Sequence, residues 1–225
     1  MVPMTTPDAP FRIEDAPRRE VDLLIAQGLL EPLLPGVVGP AGCTQGLDAR
    51  VVAAALALPP LVRERGALAQ QAAAWIWCGG TPPLVVDVAV PRGRGMHRAG
   101  EVVTHERRMP DVDVTSLPIP SIGGSTADPA GDPAGDPGGG GCGGGGPTGV
   151  LVVTTPARTV VDLLRLLPET EAVAWAAPVA RVAGTTADDV HACLERMPRA
   201  RGVPRARRLA AGLAYGQSIR LPVIR

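Results

Sequence analysis

The residues best spaced to act together are Arg158, Asp162 and Arg165. On a helix they fall at i, i+4 and i+7, which is one stripe. Asp162 can then pair with Arg158 one turn before it and with Arg165 one turn after it. That stripe has two readings, a brace that ties a helix to its sheet or a basic contact surface, and neither is catalytic. The other groups that titrate or ligate are scattered. Cys43, Cys78, Cys142 and Cys193 show no C-x-x-C spacing, which argues against a zinc site and against a disulfide framework. His97 and His105 have no third ligand nearby, so no metal is expected there. His191 and Cys193 read as ordinary core or surface residues. All 22 basic residues are Arg, and the chain has no Lys. This excludes a P-loop lysine, a Schiff-base lysine and the lysine of a carboxylate-plus-lysine nuclease site. The expectation is a protein that is not an enzyme and carries no cofactor.

The remaining chemistry is that of guanidinium groups. Net charge is zero, so any contact with nucleic acid must be local. Aromatic residues make up 2% of the chain, too few for a platform that stacks single-stranded bases. Arg92, Arg94, Arg98, Arg107 and Arg108 stand against Glu101 and Glu106, a local excess of three positive charges. They can grip nucleic acid or an acidic partner, or form a solvated loop tip. No acid separates Arg196, Arg199, Arg201, Arg205, Arg207 and Arg208. A helix bearing that run can bind phosphates or simply face water. Arg18 and Arg19 form a third, smaller group.

These residues need elements to position them. Val150–Val153 is an apolar, β-branched run that suits a buried strand. Thr155 can cap the following helix and Pro156 can take its first position. Val160, Val161, Leu163, Leu164 and Leu167 give that helix a broad apolar face. Upstream, Phe11–Ile13 reads as a short strand, Pro17 opens a helix to about Gln27, and Leu29–Val38 reads as two extended pieces about Pro35-Gly36. A helix followed by a small hairpin is the order found in winged helix-turn-helix DNA binders. Residues 12–38 carry three Arg against five acids, a net charge of minus two, whereas phosphate binding favours the opposite sign. Asp48–Leu58 and Ala67–Cys78 read as helices. Leu84–Val90 reads as a strand, with Glu101–His105 as its returning partner across a basic turn.

Residues 118–148 are low in complexity, with a Pro-Ala-Gly-Asp repeat and almost no apolar side chains. They read as a disordered insertion. Closing such a loop costs only about 2 kcal/mol more than closing a short one. Its polyglycine contains G-x-G-x-x-G trivially, without the strand and helix that give that pattern meaning. Glu169–Val182 reads as a helix broken or kinked at Pro178. The next helix is capped by Thr186, with Asp188 and Asp189 in its first turn. No secretory signal and no apolar run of membrane-spanning length is evident, so a cytoplasmic protein without a membrane partner is expected.

Several of these segments carry a resemblance. "TTPARTVVDLLR", followed by "EAV", resembles the T-x-x-R-T-x-x-D-L-x-R segment of AbiEi-like antitoxins of type IV toxin–antitoxin systems. "AAAWIWCGG", the stretch from "VVDVAVPRGRG" to "MPDVDV", and "RGVPRARRLAAGL" resemble further parts of that family in the same order. The resemblance covers about residues 45–215 apart from the insertion. It implies an α+β fold, a small antiparallel or mixed sheet with packed helices, preceded by an incomplete winged helix-turn-helix element at 11–40. Residues 1–10 and 216–225 would be tails.

In function the resemblance implies a transcriptional regulator that binds its promoter DNA and neutralises a nucleotidyltransferase-like toxin. Arg18, Arg19, Arg92, Arg94, Arg98, Arg205, Arg207 and Arg208 would contact DNA. Thr155, Pro156, Arg158, Asp162 and Arg165 would form the structural motif. Many relatives continue into a nuclease-like domain. The alternatives are therefore a shortened, non-catalytic part of a nuclease-fused protein, or a decayed copy without activity.

Overall fold

The computed structural model describes residues 8–93, 100–121 and 149–216, with side chains to residue 213. The fold is α+β. Among the described residues, eight α-helices accompany one sheet of three strands and one of five.

The smaller sheet pairs β1 (Phe11–Arg12), β2 (Leu30–Leu34) and β3 (Val37–Pro40) in the order β1-β3-β2, all antiparallel. Helix α1 (Arg18–Ala26) joins β1 to β2. It buries Val21 with Leu30 and Val38, and Leu24 and Ile25 pack partly against them. Its outer face keeps Arg18, Arg19, Asp22 and Leu23 exposed. Helix α2 (Leu47–Ala57) links this unit to the rest, because Val51, Val52 and Ala55 share one core with Leu33, Leu34 and Val37. A short helix α3 (Pro60–Arg65) follows.

The larger sheet runs β6-β5-β4-β8-β7. Its middle strand, β4 (Ala67–Leu68), lies where the sequence predicts the start of a helix; the helix α4 begins three residues later, at Gln70–Cys78. Tertiary contact overrides helix propensity here. Ala67 and Leu68 are buried between β5 (Val86–Val90) and β8 (Val150–Thr154). A Cβ on Gly66 would collide with a Val88 methyl, so the chain enters the sheet on a residue without one.

A second expectation also fails. β6 (Val102–Glu106) is not a returning strand: it pairs with β5 in parallel, Val86 opposite Val102 and Val90 opposite Glu106. The alternating apolar pattern of the two strands fits either direction, so the hairpin reading had no independent support. Strand β7 (Val114–Pro118), unrecognised in the sequence because Thr115, Ser116 and Pro118 dilute its pattern, closes the other edge antiparallel to β8. Residues 122–148 of the predicted insertion lie outside the described residues.

After β8 come α5 (Pro156–Leu166), α6 (Glu169–Val182), α7 (Ala187–Glu195) and α8 (Val203–Gly216). α6 is not broken at Pro178 but runs through it, held by Ala172, Ala176, Val179 and Ala180, which are buried in the second core. That core gathers α5 through α8 around Val160, Val161, Leu163, Leu164, Leu194 and Ala206. Trp75 is fully buried in the first core, and Trp77 is half-buried between the two.

Candidate functional site

Strand β8 ends at Thr154, whose carbonyl accepts from the indole N–H of Trp77 at 2.9 Å. The Thr154 and Thr159 hydroxyls stand 2.7 Å apart. Thr155 caps α5, its hydroxyl accepting from the Arg158 N–H at 3.4 Å, and Pro156 occupies the first turn. The Thr155 N–H donates to the carbonyl of Asp113 at 3.0 Å, tying the hinge to the 3-10 turn Asp111–Asp113 that precedes β7.

On this hinge stands a buried ionic network. Arg158 donates from Nε to Asp162 Oδ2 at 2.9 Å and from Nη1 to Asp113 Oδ2 at 2.7 Å. Arg165 donates to Asp162 Oδ1 at 2.8 Å and, from Nε, to the Arg201 carbonyl at 2.9 Å. Arg196, at the end of α7, donates from Nη2 and Nε to Asp113 Oδ1 at 2.6 and 3.1 Å. Arg107 Nη1 lies 3.5 Å from Asp162 Oδ1, without a hydrogen bond. Both aspartate side chains are at most 1% exposed. Burial alone would lower the Arg158 pKa, but the charges and hydrogen bonds of Asp162 and Asp113 outweigh it and the net direction is upward. For Arg165 burial prevails and the direction is downward, with Arg107 and Arg158 adding repulsion. Gly202 lets the α7–α8 turn approach: its φ is +82°, and a Cβ there would stand 2.5 Å from the Arg165 carbonyl oxygen.

The expected stripe of Arg158, Asp162 and Arg165 is therefore a brace, and it is larger than its own helix. Asp113 and Arg107 complete it from the β6–β7 connection, and Arg196 from the end of α7. Asp113 and Arg107 sit at the two ends of the connection that leads from one edge strand, β6, to the opposite edge strand, β7. Nothing in the local sequence marks Asp113 as buried. In the "DVDV" alternation both aspartates fall on the face opposite the valines, yet Asp113 is buried and Val112 is exposed.

The predicted DNA-contacting arginines are dispersed. Arg18 is exposed on α1 and donates to Asp22 at 3.2 Å; Arg19 beside it is exposed with no partner among the described residues. Arg205 is committed elsewhere, donating to the carbonyls of Leu164 and Leu167 at 3.2 and 2.6 Å and so closing the C-terminus of α5. Arg207 and Arg208 are exposed and pair with Glu195 and Glu169. Arg92 is exposed just beyond β5, and Arg94 and Arg98 lie outside the described residues. The parallel pairing of β5 and β6 changes their neighbourhood. Arg92, Arg107 and Arg108 all follow the C-terminal ends of adjacent strands, and the Arg107 N–H donates to the Val90 carbonyl at 2.9 Å.

Capping of helix ends by arginine recurs. Arg50 donates to the carbonyls of Ile76, Thr44 and Gln45, and burial lowers its pKa. Arg63 and Arg12 donate to Ala55 and Leu56 at the end of α2. Final-turn carbonyls lack intrahelical donors and carry the negative end of the dipole, so a cation suits them.

A second polar group lies at the start of α4. Gln70 holds a φ of +51°, rare for a residue with a side chain, and donates to Asp87 Oδ1 at 3.2 Å. The same oxygen is 2.7 Å from His105 Nε2. Among the described residues no group of three or more His, Cys, Asp or Glu side chains is placed to hold a metal ion. A cavity of about 420 Å³ among α5, α6, α7 and α8 is lined by Val160, Ala180, Val190, Leu194 and Leu213, with Asp188, His191 and Arg207 at its polar side. No helix among the described residues is long and apolar enough to cross a membrane. No protein-family model matches this chain, and no curated protein matches it.

Proposed function

We propose that the chain is a macromolecule-binding regulator of the AbiEi-like antitoxin type, one that contacts promoter DNA and a nucleotidyltransferase-like toxin and turns over no small molecule. The observation that carries the DNA part is the β1–α1–β2–β3 unit. There a helix packed by Val21 on a three-stranded antiparallel sheet holds the Arg18 and Arg19 side chains exposed in its first turn. Phosphate contacts need such cations free of burial, and a helix followed by a hairpin presents them beside a wing. The motif segment supports the scaffold part of the reading, because each of its polar side chains is used internally: Thr155 as a cap, and Arg158, Asp162 and Arg165 in the network.

The test is an electrophoretic shift of the DNA upstream of the chain's own reading frame, across a salt series. Affinity is expected to fall linearly in log–log form with salt. Arg19→Ala is expected to weaken binding on all sequences and to lower the salt slope by about one. No shift at any salt concentration would overturn the DNA part. Co-expression with a neighbouring nucleotidyltransferase-like protein is expected to restore growth, and unrelieved toxicity would overturn the antitoxin part.

A further inference from the structure

The cavity of about 420 Å³ among α5, α6, α7 and α8 has the size of a small-ligand site. Helix periodicity divides its lining. Val190 and Leu194, at i and i+4 on α7, line it with Val160 of α5 and Ala180 of α6, and all four are buried. Asp188 and His191, at i and i+3 on the same helix, lie at the exposed rim.

The polar groups around the cavity are unequal. Arg207 is spent, since its Nη2 donates to Glu195 at 2.7 Å. His191 is turned the same way, with Nε2 3.8 Å from Glu195. Asp189 is spent as well: it accepts from the Thr186 N–H and hydroxyl, and its charge answers the positive end of the α7 dipole. Two acceptors are left over. Thr185 is only 8% exposed, and its hydroxyl has no hydrogen-bond partner among the described residues, yet it is not sealed off. Asp188, three residues on, makes no ion pair among the described residues. Both line the cavity.

We propose that this cavity binds a small amphiphile with an unbranched apolar body and a protonated amine head. The body lies against Val160, Val190 and Leu194, and the head donates to Asp188 and to the Thr185 hydroxyl. Apolar walls gain by exchanging water for an apolar guest, and a desolvated hydroxyl without a partner is costly. An ammonium carries three donors and no acceptor, so one head serves both oxygens and cancels the Asp188 charge. A carboxylate head would meet Asp188 as a like charge and find Arg207 already occupied. The site does not rest on the proposed function, since it uses neither α1 nor the ionic network.

Binding is read as the rise in thermal midpoint of the full chain with n-octylamine, n-octanol or octanoate, at matched ionic strength and mildly alkaline pH, where an alkylamine keeps its proton. At about ten times its dissociation constant, n-octylamine is expected to raise the midpoint by about 4 °C. From n-butylamine to n-octylamine, affinity is expected to tighten about fourfold per methylene. n-Octanol is expected to bind more weakly than the amine, and octanoate more weakly still. Asp188→Asn, at an exposed position, is expected to weaken n-octylamine about threefold and to leave n-octanol unchanged. Ala210→Phe, which fills the cavity from α8, is expected to abolish the rise with every probe. Should that variant fail to fold, the Asp188→Asn comparison decides alone. No rise with any probe overturns the proposal, and that is the result if another segment of the chain or a second copy fills the groove. Octanoate binding as tightly as n-octylamine overturns it too, as does an amine affinity unchanged in Asp188→Asn or a rise that survives in folded Ala210→Phe.

Discussion

Arg18–Asp22 on α1 and Arg158–Asp162 on α5 are the same two residue types at the same i, i+4 spacing, 3.2 and 2.9 Å apart. On α1 the side chains are 71% and 57% exposed; on α5 they are 5% and 0% exposed. The exposed pair competes with water and salt, and such pairs contribute about 0.3–0.5 kcal/mol. The buried pair has no water to return to. Its aspartate holds Arg165 as well, and Arg158 is shared with Asp113, so removing one member leaves the others charged and dry. Spacing creates the pair, and burial decides what it is worth. The arginines of α1 remain available for a partner, while those of α5 are spent on the fold.

The sharpest way to break this comparison is to delete the two aspartates. Asp162→Ala is expected to cost about 3–5 kcal/mol in urea unfolding. Asp22→Ala is expected to stay within about 0.5 kcal/mol. Equal losses would show that the network contributes no more than a surface pair.

The apolar faces give the next contrast. Leu163 on α5 is fully buried, and Leu163→Ala is expected to cost about 2–5 kcal/mol. Leu23 on α1 is 57% exposed, and its replacement by Ala is expected to change stability by no more than about 0.5 kcal/mol.

Alkaline pH sharpens the picture at the network's edge. Burial, with Asp113 adding to it, pushes the Cys193 thiol up from 9.0 to about 12. Burial also raises Cys43 and Cys78. Folded Cys193 keeps its proton where the unfolded thiol has lost it. Its contribution to stability is therefore complete below pH 9 and is lost as pH rises from 9 to about 12. Denaturant midpoints measured upward from about pH 8 are expected to fall, and Cys193→Ala is expected to flatten that fall.

The smallest effect is at Thr186, whose hydroxyl and backbone N–H form a capping box with Asp189 at the surface of α7. Thr186→Ala is expected to cost about 1 kcal/mol, read from the thermal midpoint.

Much of the local architecture was legible. The turn at Pro35-Gly36, the hinge at Thr155-Pro156 and the cap at Thr186 depend on residues a few positions apart, and those residues act through backbone geometry and short-range hydrogen bonds. The two misread elements fail for the opposite reason. Ala67–Leu68 is a strand because Val88 and Val153 flank it, and β5 and β6 pair in parallel, a direction that their own residues do not fix. The candidate site divides the same way. Arg158, Asp162 and Arg165 could be paired by counting, whereas Asp113 reaches Arg158 across 45 residues of chain and Arg196 across 83, and Arg107 joins Asp162 from just after β6.

By itself, the sequence determined which residues could form helices and caps, that arginine was the sole basic side chain, and that Arg158, Asp162 and Arg165 shared a stripe. Those properties follow from covalent chemistry and from the 3.6-residue period. Only the tertiary structure decided which arginines were spent and which stayed free. Arg205 closes a helix, Arg158 is sealed between two aspartates and Arg19 faces water, although all three are the same residue in a helical segment. The difference is desolvation, a property of the packed surroundings that no local run of residues encodes.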